Sequence, residues 1–173
     1  LLVSIMQANN EVGTIQPIRK LADLAHAAAA LFHTDAAQSV GKIPVNVKEL
    51  GVDLLSIAGH KLYAPKGVGA LYVRGGVQLQ PITFGASQEC GLRPGTENVL
   101  EIVGLGRAAQ SARQDLDQNM KHFGEMRDHL ESGLVEALGE ENLRVNGHPQ
   151  ERLPNTLSIS FKGMQANDLL DQI

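Results

Sequence analysis

A lysine placed straight after an apolar strand is the first residue of this sequence suited to chemistry. Lys61 closes Ala58-Gly59-His60-Lys61, with Tyr63, Pro65 and Gly67 beyond it. By residue type alone a lysine belongs in solvent. Held against a sheet and partly desolvated, it has a lowered pKa and can form an imine with an aldehyde. Gly59, with no Cβ, lets the backbone approach a ligand closely. Asp35 is the second candidate. It ends Phe32-His33-Thr34-Asp35, small Ala36 and Ala37 follow, and Gln38 falls within reach of the same pocket. A carboxylate at that depth needs a cationic or N–H partner to offset the burial of its charge. A protonated pyridine nitrogen is such a partner, and the pairing keeps the ring an electron sink. A turn or N-cap aspartate is the plainer alternative.

Two further polar segments stand at element ends. Asn9-Asn10-Glu11-Val12-Gly13 has an Asx turn as its simplest reading. In Gly91-Leu92-Arg93-Pro94-Gly95-Thr96, Thr96 is placed as the N-cap of a long helix, and Glu97 suits the helix dipole. The same helix start offers donors to a phosphate. Other patterns lead nowhere. Gly67-Val68-Gly69 lacks the third glycine of a dinucleotide fingerprint, and Gly59-His60-Lys61 lacks the remainder of a P-loop. No Gly-x-Ser-x-Gly elbow occurs, and His26, His122, His129 and His148 lack ligand spacing.

The elements that must position these residues alternate through the first half. Val3 to Met6, Leu31 to Thr34, Asp53 to Ala58 and Gly67 to Val73 read as strands. Between the first two, Ile18, Leu21, Leu24, Ala25 and Ala28 recur at helical spacing after Pro17. A short helical turn is expected at Val47 to Leu50. Such alternation predicts an α/β layer with a mainly parallel sheet, where ligands sit beyond the carboxyl ends of the strands. Asp35 and Lys61 each follow a strand, as such a site requires. From Glu97 to Leu138 the pattern is helical, with an apolar stripe through Leu116, Met120, Phe123, Leu130, Leu134 and Leu138. A break is expected near Gly104 to Gly106 or near Gly124. Strands at Leu143 to Val145 and Thr156 to Phe161 follow, then a helix from about Gln165. The expected division is residues 1–115 in a ligand-binding large domain and 116–173 in a linking helix and the start of a small α+β domain.

Composition bounds the partners. The 173 residues are 43% hydrophobic and 20% charged, with a net charge of -4 and no basic stripe, so nucleic acid is not expected. No apolar run approaches the roughly 20 residues of a membrane span. One cysteine, Cys90, makes no internal disulfide and fits a cytoplasmic location. The chain has no initiator Met and stops inside an amphipathic pattern, so a fragment of something longer is expected.

Four blocks together resemble the cysteine desulfurases. They are Ala8 to Gly13, His33 to Lys42, Gly59 to Gly69 and Gln88 to Asn98, in family order and spacing. The similarity continues more weakly to Asn155 through Phe161. Selenocysteine lyases and other class V aminotransferases share these motifs. The resemblance implies the fold of type I pyridoxal 5′-phosphate enzymes. It implies that Lys61 binds the cofactor's aldehyde and moves protons at the substrate α-carbon. Asp35 would pair with the pyridine nitrogen, and Gln38 would donate to the ring's phenolic oxygen. Asn10 would help place substrate and ring, and His60 would lie beside the cofactor phosphate. Thr96 would reach the phosphate in the neighbouring subunit of a homodimer. The implied reaction converts L-cysteine, or selenocysteine in the lyases, to L-alanine. Its sulfur would pass as a persulfide to an acceptor or scaffold protein for iron–sulfur clusters or thiolated cofactors.

The sequence also departs from the family. Ala58 stands where a phosphate-binding serine is common, and Cys90 stands where an arginine is common. The resemblance puts the sulfur-accepting cysteine beyond Ile173. It puts a phosphate-binding threonine, a ring-stacking histidine and a carboxylate-binding arginine outside the chain as well. The piece is therefore expected to be inactive alone, and a truncated, non-catalytic dimerising remnant is the alternative.

Overall fold

Side-chain alternation fixes the central strand of the sheet. In β2 (Leu31–Asp35), Phe32 and Thr34 are fully buried, while Leu31, His33 and Asp35 turn to the half-buried face. The computed structural model describes residues 1–171. Around β2 lie β1 (Leu2–Ser4), β3 (Leu54–Ala58) and β4 (Gly69–Val73), in the order β1-β2-β3-β4. β1 and β2, and β2 and β3, pair parallel; β3 and β4 pair antiparallel. The sheet is α/β and mainly parallel, as expected, with an antiparallel edge. β1 is assigned earlier than the apolar run suggested, but its pairing runs on through Ile5 N–H to His33 O (3.1 Å) and Gln7 N–H to Asp35 O (2.8 Å).

One face of this sheet is closed by α1 (Ile18–Ala27). Ile18, Ala22 and Ala25, at helical spacing, pack with Phe32, Val52 and Leu55 into the core. α2 (Val47–Leu50) is one turn, capped by the Asn46 side chain, which accepts from Lys48 N–H at 3.0 Å, and ended by left-handed Gly51.

A buried charge pins the start of β3. Asp53 is fully buried; its Oδ2 accepts from Phe32 N–H (2.7 Å) and lies 2.8 Å from His26 Nε2, while its Oδ1 lies 2.6 Å from Arg74. Burial alone would raise this carboxyl's pKa. The Phe32 amide, the His26 ring and Arg74 outweigh it and hold the pKa below the ordinary value. The cluster joins α1, β2, β3 and the end of β4.

The helical stretch breaks at neither glycine cluster. α3 (Val99–Gln114) and α4 (Leu116–Leu138) meet at Asp115, whose φ of -103° and ψ of 8° leave the helical range. An isolated glycine weakens a helix by only about 1 kcal/mol, which packing can override. Gly104 shows why it is there: a Cβ would stand 2.8 Å from Pro65 Cδ, so the glycine lets α3 lie against the segment after Lys61. α4's stripe is only partly covered, with Leu130 and Leu138 exposed. β5 (Leu143–Val145) and β6 (Ile159–Phe161) form an antiparallel pair, and α5 (Ala166–Leu170) follows. The segment between β5 and β6 folds back onto the first half. Leu153 N–H donates to Gly13 O (2.9 Å), and Ile15 N–H to Glu151 O (2.8 Å). α4 holds that segment through Arg127 to Leu153 O (3.2 Å) and an Arg152–Glu131 ion pair (2.6 Å).

Candidate active site

Three consecutive strands of the sheet deliver the candidate residues at one end. β2 ends on Asp35, whose register partner on β3 is Ser56, and β3 runs from Ala58 straight into a 3-10 turn, Gly59–Leu62, that carries His60 and Lys61. β1 continues through Gln7, whose N–H donates to Asp35 O, into the turn that carries Asn10. The carboxyl ends of β1, β2 and β3 therefore bring Asn10, Asp35, His60 and Lys61 to one edge of the sheet, where α/β folds bind ligands.

Each residue has its local cause. Asp35 is half-buried, and its Oδ1 accepts from Ala37 N–H at 2.8 Å, the local turn bond that the plainer reading of this aspartate also expects. That bond leaves Oδ2 without a protein partner among the described residues. Gln38 follows, half-buried, with its side chain likewise unpaired among the described residues. In the turn after β1, Asn9 makes the Asx turn, its Oδ1 accepting from Glu11 N–H and Val12 N–H, both at 2.9 Å. Asn10 is left exposed and its side chain unused. Gly13 must be glycine, because its φ is +72° and a Cβ would lie 2.7 Å from Thr156. The second half of the chain thus clamps the turn that presents Asn10.

Three expectations need correction. Lys61 and His60 are exposed, so the strand end does not supply the desolvation expected at Lys61. Gly59 is glycine for another reason than ligand approach: a Cβ there would meet Val68 O at 2.6 Å, so its absence lets the segment entering β4 close on the turn. Thr96 does not cap α3. Asn98 holds that position with no side-chain cap bond, and Thr96 lies exposed in the preceding loop, with no bond to the strand ends among the described residues. The reason is local: Val99 N–H is already taken by Glu97 O at 2.9 Å, which starts the helix two residues late.

Some residues on this face escaped the sequence reading. His33, two residues before Asp35 and on the same side of β2, bridges Ser4 Oγ (Nδ1, 2.7 Å) and Ser56 Oγ (Nε2, 2.9 Å). This row of polar groups ties β1, β2 and β3 just below the carboxylate. Its only sequence signal was a histidine at an i, i+2 spacing from Asp35. On the opposite side, buried Ser39 donates to Gln7 Oε1 (2.7 Å), fixing the segment that carries Gln38. Among the described residues no cluster of His, Cys, Asp or Glu could hold a metal ion, and no helix is long and apolar enough to cross a membrane.

Comparison with known proteins places this edge in context. The family profile described as Aminotransferase class-V matches residues 1–173. A cysteine desulfurase of Gluconacetobacter diazotrophicus is 52% identical over 169 residues, which cover 98% of this chain and 42% of that protein. The cysteine desulfurase IscS of Dictyoglomus turgidum is 47% identical over 170 residues, 98% of this chain and 43% of that protein. A solved NifS-like protein superposes with a TM-score of 0.92 at 42% identity, over 99% of this chain and 46% of that one. The chain thus spans less than half the length of the curated relatives it matches. With the profile covering every residue and half the positions shared with a cysteine desulfurase, the chain belongs to the class V aminotransferase family.

Proposed function

We propose that this chain is the cofactor-lysine portion of a cysteine desulfurase and that Lys61 binds pyridoxal 5′-phosphate. The observation that carries the reading is the placement of Lys61 and Asp35 at the carboxyl ends of adjacent parallel strands, in a chain 52% identical to a cysteine desulfurase. The residues fit the group. The free Oδ2 of Asp35 suits a protonated ring nitrogen, Gln38 offers an amide donor to the phenolic oxygen, and His60 beside Lys61 suits the phosphate. Ala58, at the end of β3, offers that phosphate no hydroxyl.

When bound, the cofactor supplies an electron sink for charge developing at the substrate α-carbon. The chain's own groups do the remainder. Asp35, kept oriented by the Ala37 amide, would hold a proton on the ring nitrogen. Lys61 would hold the cofactor through its amine and would move a proton at the α-carbon of L-cysteine. Asn10, presented by the Asn9 turn, orients substrate and ring. Exposure of Lys61 leaves the exclusion of water to groups beyond this edge. On the same reading, Thr96 serves the neighbouring site of a homodimer, and residues 116–173 begin the small domain. The sulfur would leave as persulfide for an acceptor protein in a cytoplasmic setting.

A titration with pyridoxal 5′-phosphate followed by difference absorbance tests the reading. Saturable change in the wild type, abolished in Lys61→Ala and weakened at least about tenfold in Asp35→Asn, is expected; an ion pair of about 1.4 kcal/mol accounts for that factor. Equal titration of wild type and Lys61→Ala would contradict it.

A further inference from the structure

Lys42 is a buried residue whose ammonium meets no anion among the described residues. The residue is nine-tenths buried, with a relative exposure of 8%, and no carboxylate or hydrogen-bond acceptor meets its ammonium among the described residues. What surrounds the ammonium is aromatic: Nζ lies 4.5 Å from the Tyr63 ring centroid and 5.5 Å from that of Phe123. Ring faces attract a cation by about 1 kcal/mol each and accept no conventional hydrogen bond. Its three N–H donors therefore find no acceptor among the described residues and turn to the cavity that the side chain lines.

Lys42, Tyr63 and Phe123 all line one cavity of about 400 Å3 between the 3-10 turn and the α3–α4 bend, a size that small-molecule sites share. Leu62 and Ala112 add apolar wall, and Arg107 adds a second cation. The one carboxylate of the lining, Asp115, lies beyond ion-pair distance of Lys42. None of Asn10, Asp35, Gln38, His60, Lys61 or Thr96 contributes to this lining, so the cavity is distinct from the proposed cofactor residues. We infer that it is a binding site for a small organic monocarboxylate. The carboxylate would take the Lys42 ammonium, and an apolar body of aromatic or branched aliphatic kind would lie against Leu62, Phe123 and Ala112. A monocarboxylate fits better than a larger polyanion because the lining offers one buried cation, beside the apolar Leu62, Ala112 and Phe123 and against the carboxylate of Asp115. The inference stands apart from the reading of Lys61.

Benzoate, its neutral isostere benzamide and inorganic phosphate, titrated into the isotopically labelled 173-residue chain, test it by amide NMR. Benzoate is expected to shift Gly41, Tyr63 and Ala112 saturably, and benzamide to bind at least about tenfold more weakly. Lys42→Met is expected to lose benzoate binding by a similar factor, and Lys42→Arg to keep it. Benzamide binding as tightly as benzoate, or Lys42→Met binding unchanged, overturns the assignment. Phosphate binding at these amides without benzoate also overturns it, because the apolar walls would then have no role. If Lys42→Met does not fold, the wild-type comparison of benzoate with benzamide decides alone.

Discussion

Replacing Asp53 should unlock the sheet more than any change at the exposed strand edge. The carboxylate is fully buried and satisfies the Phe32 N–H, which is buried with it, while Arg74 and His26 remain partly exposed and can turn to water. Asp53→Ala therefore strands one buried backbone donor, at about 1–3 kcal/mol. It also removes two charge-assisted contacts, discounted to about 1 kcal/mol together because their cations are partly solvated. The sum is a loss of about 3 kcal/mol. Asp53→Asn keeps an acceptor for Phe32 and should lose about 1 kcal/mol. Urea unfolding followed by circular dichroism measures both. The pH dependence has a definite sign. Because the folded pKa lies below the ordinary 3.8, the charged form's contribution is present above that value and fades as pH falls through the folded pKa. The gap between wild type and Asp53→Asn should thus be widest near neutral pH and close in acid. An Asp53→Ala chain within about 0.5 kcal/mol of wild type at neutral pH would refute the reasoning.

Two other substitutions probe what positions the site. Gly59→Ala would push a Cβ to 2.6 Å from Val68 O, and the forced shift of the segment entering β4 should cost about 2 kcal/mol, read from the urea midpoint. Arg152→Ala removes an 8%-exposed partner of Glu131 from the segment that clamps the Gly13 turn. It should cost about 2 kcal/mol and raise hydrogen exchange at Leu153 and Ile15 before the amides of β2 and β3, whose protection should hold.

Much of the sheet could be read in advance because its signals are local. β2 and β3 show as apolar runs closed by polar residues, α1 as a 3.6-residue repeat, and Asp35 and Lys61 stand where those runs stop. The misses all depend on partners distant in sequence. Gly104 looked like a helix break because its meeting with Pro65 cannot be seen along the chain. Gly59 looked like room for a ligand, but Val68 fills that room. Thr96 looked like a cap, and a Glu97 carbonyl displaced it. Asp53 passed unnoticed inside an apolar run, although a lone carboxylate in Gly51-Val52-Asp53-Leu54-Leu55 is itself a sign of a buried network. Lys42 stood inside a motif, yet only packing shows that it faces two rings and, among the described residues, no anion.

The central claim concerns a single nitrogen. Incubating the chain with pyridoxal 5′-phosphate, reducing with borohydride and mapping the peptides reads directly which amine took the aldehyde. The account predicts one major modified site, Lys61, with exposed Lys20, Lys48, Lys66, Lys121 and Lys162 at background. Label spread evenly over those lysines, or concentrated on any of them in place of Lys61, would contradict it.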